Sequence, residues 1–346
     1  MTAARCFDPQ GLHDFLVRLF VGSGVPEDSA RLVIDHLVDA SLAGVHSHGI
    51  LRAPEYLDHI DQGLVAASAR PRLVRDDGAV AVFDAGRCLG QVAANAVCEE
   101  VVPRAGGGGG LALVSARRAG HFGRIGAYVE AVAQRGFVAV AFCAVPTRHH
   151  NVAWFGAREG RLGTNPIAYA FPTGGAPVVA DFSTSAVPEG RVRLLHHEGR
   201  PAPDGVLLDA DGQPSTDPGV LYRQPAGTLR PLGGPQGHKG SALGLLVEVM
   251  GTLLAGEAPD DPGRHNSLTI VAVRCPDGFA DGADGLVRYV RSAAPIDPAR
   301  PPLVPGDPEA AARAGATAVP VDATTWERLV ARAAAAGLQV PEPLGG

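Results

Sequence analysis

Apolar residues follow helical spacing at both ends of the chain and gather into short continuous runs in the middle. Leu12, Phe15, Leu16 and Leu19 share one face of a helix predicted over 9–21. Leu32, Val33, His36, Leu37 and Ala40 do the same over 26–42. Pro9 and Pro26 stand at first turns, where a missing N–H is tolerated. A third helical stretch runs through Tyr56 and Ile60, and Pro54 is expected to break it or to begin a fresh turn. After Pro71 the texture changes. The runs AVAVFDAG, LALVSA, FVAVAFCAV, VVADF and SLTIVAV read as strands, with helices predicted over 91–102 and 125–135. That alternation argues for α/β organisation. Residues 196–230, rich in Gly, Pro and Asp, read as loops and hairpins. GHKGSALGLLVEVMGTLLAG opens on glycines and becomes an almost wholly apolar helix, which is expected to be buried. A proline-rich excursion then leads to a last helix over 322–336, capped by Asp322 and stopped at Gly337.

Composition narrows the function classes. A chain of 346 residues with 46% hydrophobic content can build one large core or two to three domains. The net charge is −6, and no basic run or aromatic–basic interleaving occurs, so no nucleic-acid partner is expected. Only 19% of residues are charged, which points to a buried subunit interface. Cys6, Cys88, Cys98, Cys143 and Cys275 are odd in number and form neither a metal spacing nor a secreted framework. A reduced, cytoplasmic chain without a bound metal is expected. The N-terminus lacks the signal-peptide pattern. The longest apolar helix candidate, near 241–255, carries Glu248 and is too short to span a bilayer, so no membrane partner is expected either.

Five segments carry candidate chemistry. SHGILRAPEY, residues 47–56, spaces His48, Arg52 and Tyr56 four apart, so a continuous helix would place all three on one face. An imidazole moves protons near neutral pH, a guanidinium grips a carboxylate through two parallel bonds, and a phenol adds a donor. RRAGHFGRIGAY sets His121 between a strand and a helix, as a ligand contact near a phosphate seat or as a turn histidine. Thr164 and Asn165 are short polar groups in an otherwise apolar stretch, with Pro166 biasing Asn165 toward an extended backbone, and they read as candidate polar contacts or as a turn. Asp181, Ser183, Thr184 and Ser185 suit ribose and phosphate, or a helix cap. His238 and Lys239 precede the apolar helix. A cation there fits if an anion joins it, and otherwise is a solvated lysine. The pair His149–His150 lacks zinc partners.

Together these segments resemble the malate/L-lactate dehydrogenase family of NAD(P)-dependent oxidoreductases, which is unrelated to the Rossmann-type enzymes. The motifs are SHGILRAPEY, HFGRIGAY, GTNPIA (163–168), DFSTS (181–185), DADGQPSTDP (209–218) and GHKG (237–240), in order across about 9–337. The resemblance implies an α/β fold whose cofactor domain is non-Rossmann, with a large, mostly antiparallel sheet. A helical domain would form from both chain ends: 1–70 with 310–346, against 71–309 for cofactor and substrate. It implies a homodimer acting on a small carboxylate. His48 would be the proton donor and Ser47 its hydrogen-bond partner, with His121 the rival acid/base beside the nicotinamide. Arg52 and Tyr56 would take the carboxylate side, and Thr164 would touch substrate. The dinucleotide would lie on His121, Phe122, Gly123, Arg124 and Ile125, on Asp181, Phe182, Ser183 and Thr184, on His238 and Lys239, and on Pro305 and Gly306. The reaction would move hydride to or from C2 of a 2-oxo or 2-hydroxy acid, or alternatively reduce a cyclic imine carboxylate. NADPH is slightly favoured over NADH, with Arg118, Arg124 and Arg148 each read as a partner for the 2'-phosphate or, with greater weight, as a surface charge. Where relatives often carry lysine after DFSTS this chain has Arg191, and Ser241–Ala242 replace Tyr-Gly after GHKG.

Overall fold

The two chain ends meet. In the computed structural model, which describes residues 4–145, 150–257 and 265–344, β1 (Arg5–Phe7) pairs antiparallel with β14 (Val319–Val321). Around this pair pack α1 (Pro9–Gly22), α2 (Glu27–Leu42), α3 (Ala53–Asp61) and α10 (Ala323–Ala335). Trp326 of α10 joins the ends, with its ring 4.2 Å from Phe7 and 5.9 Å from Phe15. Asp8 and Asp322 cap α1 and α10, accepting from the backbone N–H of Gly11 and Thr325 at 2.7 and 2.9 Å. Helices from both termini therefore form one packed unit. The helix α9 (Asp307–Gly315) straddles the boundary expected at 309/310.

The middle of the chain builds a seven-stranded sheet. Its strands are β2 (Arg72–Asp76), β3 (Val80–Asp84), β4 (Leu111–Ala119), β5 (Phe137–Ala144), β8 (Ile167–Phe171), β9 (Val178–Phe182) and β13 (Asn266–Arg274), in the order β2-β3-β4-β13-β5-β8-β9. The β3–β4 pair is parallel and every other pair is antiparallel. Small buried residues line these strands, Ala112, Val114 and Ala116 on β4, Ala139 and Ala141 on β5 and Ala272 on β13, and α4 (Gly90–Gly107) and α5 (Gly126–Ala133) pack against them. A smaller sheet, in the order β11-β10-β12-β6-β7, is made of β6 (Val152–Ala153), β7 (Gly160–Leu162), β10 (Leu207–Leu208), β11 (Pro214–Ser215) and β12 (Thr228–Leu229). It shares a separate apolar cluster with Val192 and Leu195 of α6 (Glu189–His197). The helix α8 (Phe279–Arg291) lies on the outside, with Leu286 and Tyr289 exposed.

Two expectations change. The third helical stretch is not continuous: His46–His48 and Ile50–Arg52 are single 3-10 turns, and α3 starts only at Ala53, with Pro54 in its first turn. The apolar helix α7 (Gly237–Glu248), which continues as a π-turn over Val249–Leu253, is not wholly buried. Its small residues pack inward, Gly244 against Leu162 and Thr184 and Gly251 against Ala144. Leu245, Leu246, Val249, Leu253 and Leu254 consequently face outward and are exposed. Among the described residues no helix is long and apolar enough to cross a membrane.

Candidate active site

Broken though it is, the 46–61 segment delivers its polar side chains to one place. Ser41 Oγ, on α2, accepts the N–H of Ile50 at 3.0 Å and fixes the junction between the two 3-10 turns. Ser47 Oγ lies 2.9 Å from His48 Nδ1. Arg52 turns back, donating Nε–H to the Ser47 carbonyl and Nη1–H to Glu55 Oε2, both at 2.8 Å. It is only 7% exposed. No hydrogen bond engages its Nη2 among the described residues. His121 arrives from the loop after β4, and its ring stacks on that of His48 with centroids 5.6 Å apart at 23°.

The sequence set Tyr56 beside Arg52 at the carboxylate. The structure gives its hydroxyl other partners, His121 Nδ1 at 2.8 Å and Gln91 Nε2 at 3.1 Å, and leaves it 2% exposed. Burial drives the phenol's pKa upward, so it stays protonated at neutral pH.

The His121 loop is held from α2. Nε2 of the buried His36 accepts the backbone N–H of Arg124 at 2.9 Å, and its ring stacks on Tyr128 at 5.2 Å. Gly123 has φ +72°, and a Cβ there would lie 2.2 Å from His36 Nε2. Gly90 likewise lets α4 begin against the His121 carbonyl, 2.3 Å from where a Cβ would stand. Phe122 and Ile125 are buried under this loop. Arg124, expected as a cofactor residue, is 4% exposed, with Nη2 bound to Glu130 at 2.8 Å and near Asp39 at 3.5 Å. Arg118 pairs with Asp84 at 2.7 Å. The Arg124 head is buried and paired, whereas Arg118 keeps an exposed side chain with Nε and Nη2 on Asp84, and Arg148 and His149 lie outside the described residues.

The remaining candidates lie along β9 and its exit. Val179 donates its N–H to the Pro305 carbonyl at 3.2 Å, and Gly306, with φ +95°, packs on Val179. Asp181 Oδ2 accepts the N–H of Gly126 at 2.7 Å. The start of α5, read as a phosphate seat, is therefore filled by this carboxylate. Thr184 donates from both N–H and Oγ1 to the Thr164 carbonyl, at 3.0 and 3.2 Å, and its own carbonyl accepts from Leu232, just before α7. Phe182 is exposed, and Ser183 Oγ donates to Ser185. His238 and Lys239 are exposed in the first turn of α7, with the Phe155 ring 5.7 Å from His238. The 181–187 run then leads into α6, which returns to the imidazoles. A Cβ on Gly190 would sit 3.2 Å from Arg52 Nη2, and Arg193 Nη1 reaches Glu55 at 3.4 Å while also pairing with Glu189.

Sequence reasoning missed Gln91, Glu55, Arg193 and the anchoring role of His36, which it read as part of an apolar helix face. The Glu189–Arg193 spacing of four and the Arg52–Glu55 spacing of three were visible as local pairs.

Would a dinucleotide fit? The first turn of α7 has no side-chain cap, so its N–H groups and Lys239 form a donor set suited to phosphate. A cleft of about 230 Å3 lies between the start of β9 and α9, lined by Val178, Pro305, Gly306, Asp307 and Arg291. The larger cleft, about 520 Å3, lies on the small sheet at Trp154, Phe155 and Arg230, and no imidazole of the paired site lines it. Among the described residues no group of three or more His, Cys, Asp or Glu side chains is placed to hold a metal.

The histidines share an electrostatic setting. Burial first, then the Arg52 charge, holds His48 down at about 4. The same two causes hold His121 well below the usual imidazole range. Burial and then Arg124 hold His36 at about 3. Each is depressed in the folded state, so the unfolded chain takes up these protons first as pH falls. Folding stability is expected to be at full strength above pH 6.5 and to fall between about 6.5 and 4. The slope would be about 1.4 kcal/mol per pH unit for each histidine. Urea unfolding at pH 7 and pH 5 measures it, and His36→Gln should reduce the slope. A flat profile through this window would show that these rings are not held neutral.

Two stacked imidazoles thus lie beside a buried arginine, and the comparisons specify the class of protein that carries them. Residues 7–330 match the sequence profile of the malate/L-lactate dehydrogenase family. The chain is 34% identical over 347 residues to hydroxycarboxylate dehydrogenase B of Escherichia coli K12, covering 95% of this chain and 94% of that protein. It is 35% identical over 331 residues to an L-lactate dehydrogenase of Cupriavidus necator, covering 92% and 94%. Among solved structures, Δ1-piperideine-2-carboxylate reductase of Pseudomonas syringae overlays with a TM-score of 0.81 at 30% identity, covering 94% and 99%. The protein is an NAD(P)-dependent oxidoreductase. It belongs to the malate/L-lactate dehydrogenase family.

Proposed function

We propose that the protein transfers hydride to or from C2 of a small 2-oxo or 2-hydroxy carboxylate. The observation that carries this reading is the convergence of the half-buried Ser47, His48 and His121 with the buried Arg52 in one corner. Arg52 holds the carboxylate through its unengaged Nη2, which fixes the reacting carbon. Thr164 borders the substrate. The bound nicotinamide supplies or accepts the hydride. His48 delivers the proton to the developing alkoxide, with Ser47 orienting its ring. An anionic substrate on Arg52 offsets the charge that depresses His48, so substrate binding itself raises the proton affinity of the donor.

The dinucleotide rests on the 121–125 backbone, the 181–184 segment, His238 and Lys239, and Pro305–Gly306. The cofactor unit is of the non-Rossmann type, spanning 71–309, with 1–70 and 310–346 as the helical unit. The exposed leucines of α7 bury against a second copy in a cytoplasmic homodimer, which a solution mass of twice the chain would support. For the 2'-phosphate of NADPH, Arg124 is committed to Glu130 and Asp39, which leaves the exposed Arg118 as the candidate among the described arginines that the sequence named.

A second reading is reduction of a cyclic imine carboxylate. The low proton affinity of His48 favours it, because such an imine arrives already protonated and demands less of the acid.

Absorbance at 340 nm, with reduced cofactor and a panel of 2-oxo acids and cyclic imine acids, tests both readings. Turnover of neither class would defeat the proposal, and a preference for imines would select the second reading. Repeating the cofactor titration with Lys239→Ala should raise the cofactor dissociation constant about tenfold or more, as expected for one lost charge-assisted hydrogen bond.

A further inference from the structure

We infer that His121 is locked as its Nε2–H tautomer and acts as a hydrogen-bond donor to the substrate's reacting oxygen, while proton transfer belongs to His48 alone. The inference rests on the reading of this corner as the substrate site, and it divides two roles that the sequence left in competition.

The argument starts at His121 Nδ1. Two groups approach it: the backbone N–H of Gly123 at 3.3 Å and the Tyr56 hydroxyl at 2.8 Å. A backbone N–H can only donate, so Nδ1 must offer its lone pair. The proton of the neutral ring then sits on Nε2. Tyr56 agrees, since its oxygen takes the Gln91 amide and its own hydrogen is left for Nδ1. The Gln91 amide could turn over, because its Oε1 is buried without a partner, and that would reverse the hydroxyl. The Gly123 amide cannot turn over. His36 holds the next N–H, that of Arg124, and packs where a Gly123 side chain would go.

A ring fixed in this way has no lone pair at Nε2, so it cannot take a proton there when a hydroxy acid is oxidised. In reduction, losing its only proton would create an imidazolate. Becoming an imidazolium would require a hydrogen on Nδ1, against the Gly123 N–H. What remains is donation of a hydrogen bond, the role a neutral imidazole can play in polarising a carbonyl. His48 differs at one atom. Its Nδ1 faces the Ser47 hydroxyl, which can either donate or accept. His48 can therefore carry a second proton, with Nδ1–H donating to Ser47 Oγ. In reduction, hydride adds to C2, the C=O π pair moves to oxygen, and the Nε2 proton of the His48 imidazolium passes to that oxygen. A neutral His48 remains. Tyr56 and Gln91 are positioning residues, acting through His121.

Glutamine places an N–H close to where Nε2–H of histidine stands and has no acid–base function, so it separates the roles. His121→Leu should lower kcat about 10²–10³-fold, the usual cost of one lost donor at developing charge. His121→Gln should recover at least tenfold of that loss with the pH profile of kcat retained. His48→Gln should recover nothing over His48→Leu. Tyr56→Phe should lower kcat with little change in the substrate KM, whereas a carboxylate-gripping phenol would raise KM. Histidine 15N spectra of the unmodified enzyme give a readout independent of turnover. The His121 signals, assigned by their loss in His121→Gln, should show a pyrrole-type Nε2 and a pyridine-type Nδ1. A pyrrole-type Nδ1, or a His121→Gln enzyme as slow as His121→Leu, would overturn the inference. Absence of turnover on every acid, with the spectra as expected, would instead remove the proposed reaction and leave the tautomer standing.

Discussion

Replacing His48 with alanine is expected to lower kcat about 10²–10⁴-fold, the range for losing a positioned general acid. Cofactor affinity should stay nearly intact. Three features point to His48. Its ring lies in the corner formed with Arg52 and His121. Its Nδ1 partner is a hydroxyl that tolerates either protonation state. Its resting value, about 4, is set by burial and by Arg52 and Arg124, charges that a substrate carboxylate at Arg52 would partly offset. Steady-state kinetics with saturating cofactor measure the effect, and near-normal kcat in this variant would transfer the proton to another group. Ser47→Ala should give a smaller loss of the same kind.

A comparable effect is expected at Arg52. Arg52→Lys keeps the charge but replaces a planar fork with a point charge on a flexible stem. In the structure two of the three guanidinium nitrogens are already committed. Nε–H holds the Ser47 carbonyl and Nη1–H holds Glu55, which leaves Nη2 toward Gly190 and the site. A single ammonium group cannot serve the Ser47 carbonyl, Glu55 and a substrate carboxylate together. The substrate KM should rise about 10- to 100-fold, the worth of roughly 1.5–3 kcal/mol for a hydrogen bond to a charged group. A modest fall in kcat should accompany it, because Ser47 and therefore His48 lose an anchor. Unchanged KM for the acid, in a variant that melts like the parent, would dismiss Arg52 as the carboxylate partner. An ester analogue should be insensitive to the substitution.

Local pattern made much of this protein legible. Periodicity predicts α1 and α2 because their apolar faces repeat within a few residues, and the cap Asp322 marks the start of α10 by a contact three residues away. The strands β4, β5 and β13 declare themselves as continuous apolar runs because helices or neighbouring strands cover them. The motif residues Ser47, His48, Arg52 and His121 were visible as chemistry, and the structure brings them together. Local pattern misled where packing partners are remote. The α7 leucines look like core until glycines 244 and 251 prove to be the packing face, a choice made by Leu162, Thr184 and Ala144 in other elements. Spacing of four among His48, Arg52 and Tyr56 suggested one helix, but the Ser41 hydroxyl on α2 holds the chain in 3-10 turns.

The sequence by itself determined which groups are available: two imidazoles, a guanidinium, a phenol and a cation among glycines, each read from a few neighbouring positions. What each group does was decided only by tertiary structure. Tyr56 lies beside Arg52 in the chain yet bonds His121, 65 positions on. Asp181 fills the helix start that seemed open to phosphate. Arg124 spends its charge on Asp39 and Glu130 rather than on a ligand. The physical reason is the same in each case. A side chain's donors and acceptors are satisfied by whatever the fold brings within about 3 Å, and in a buried site those neighbours come from distant segments whose approach no local pattern encodes.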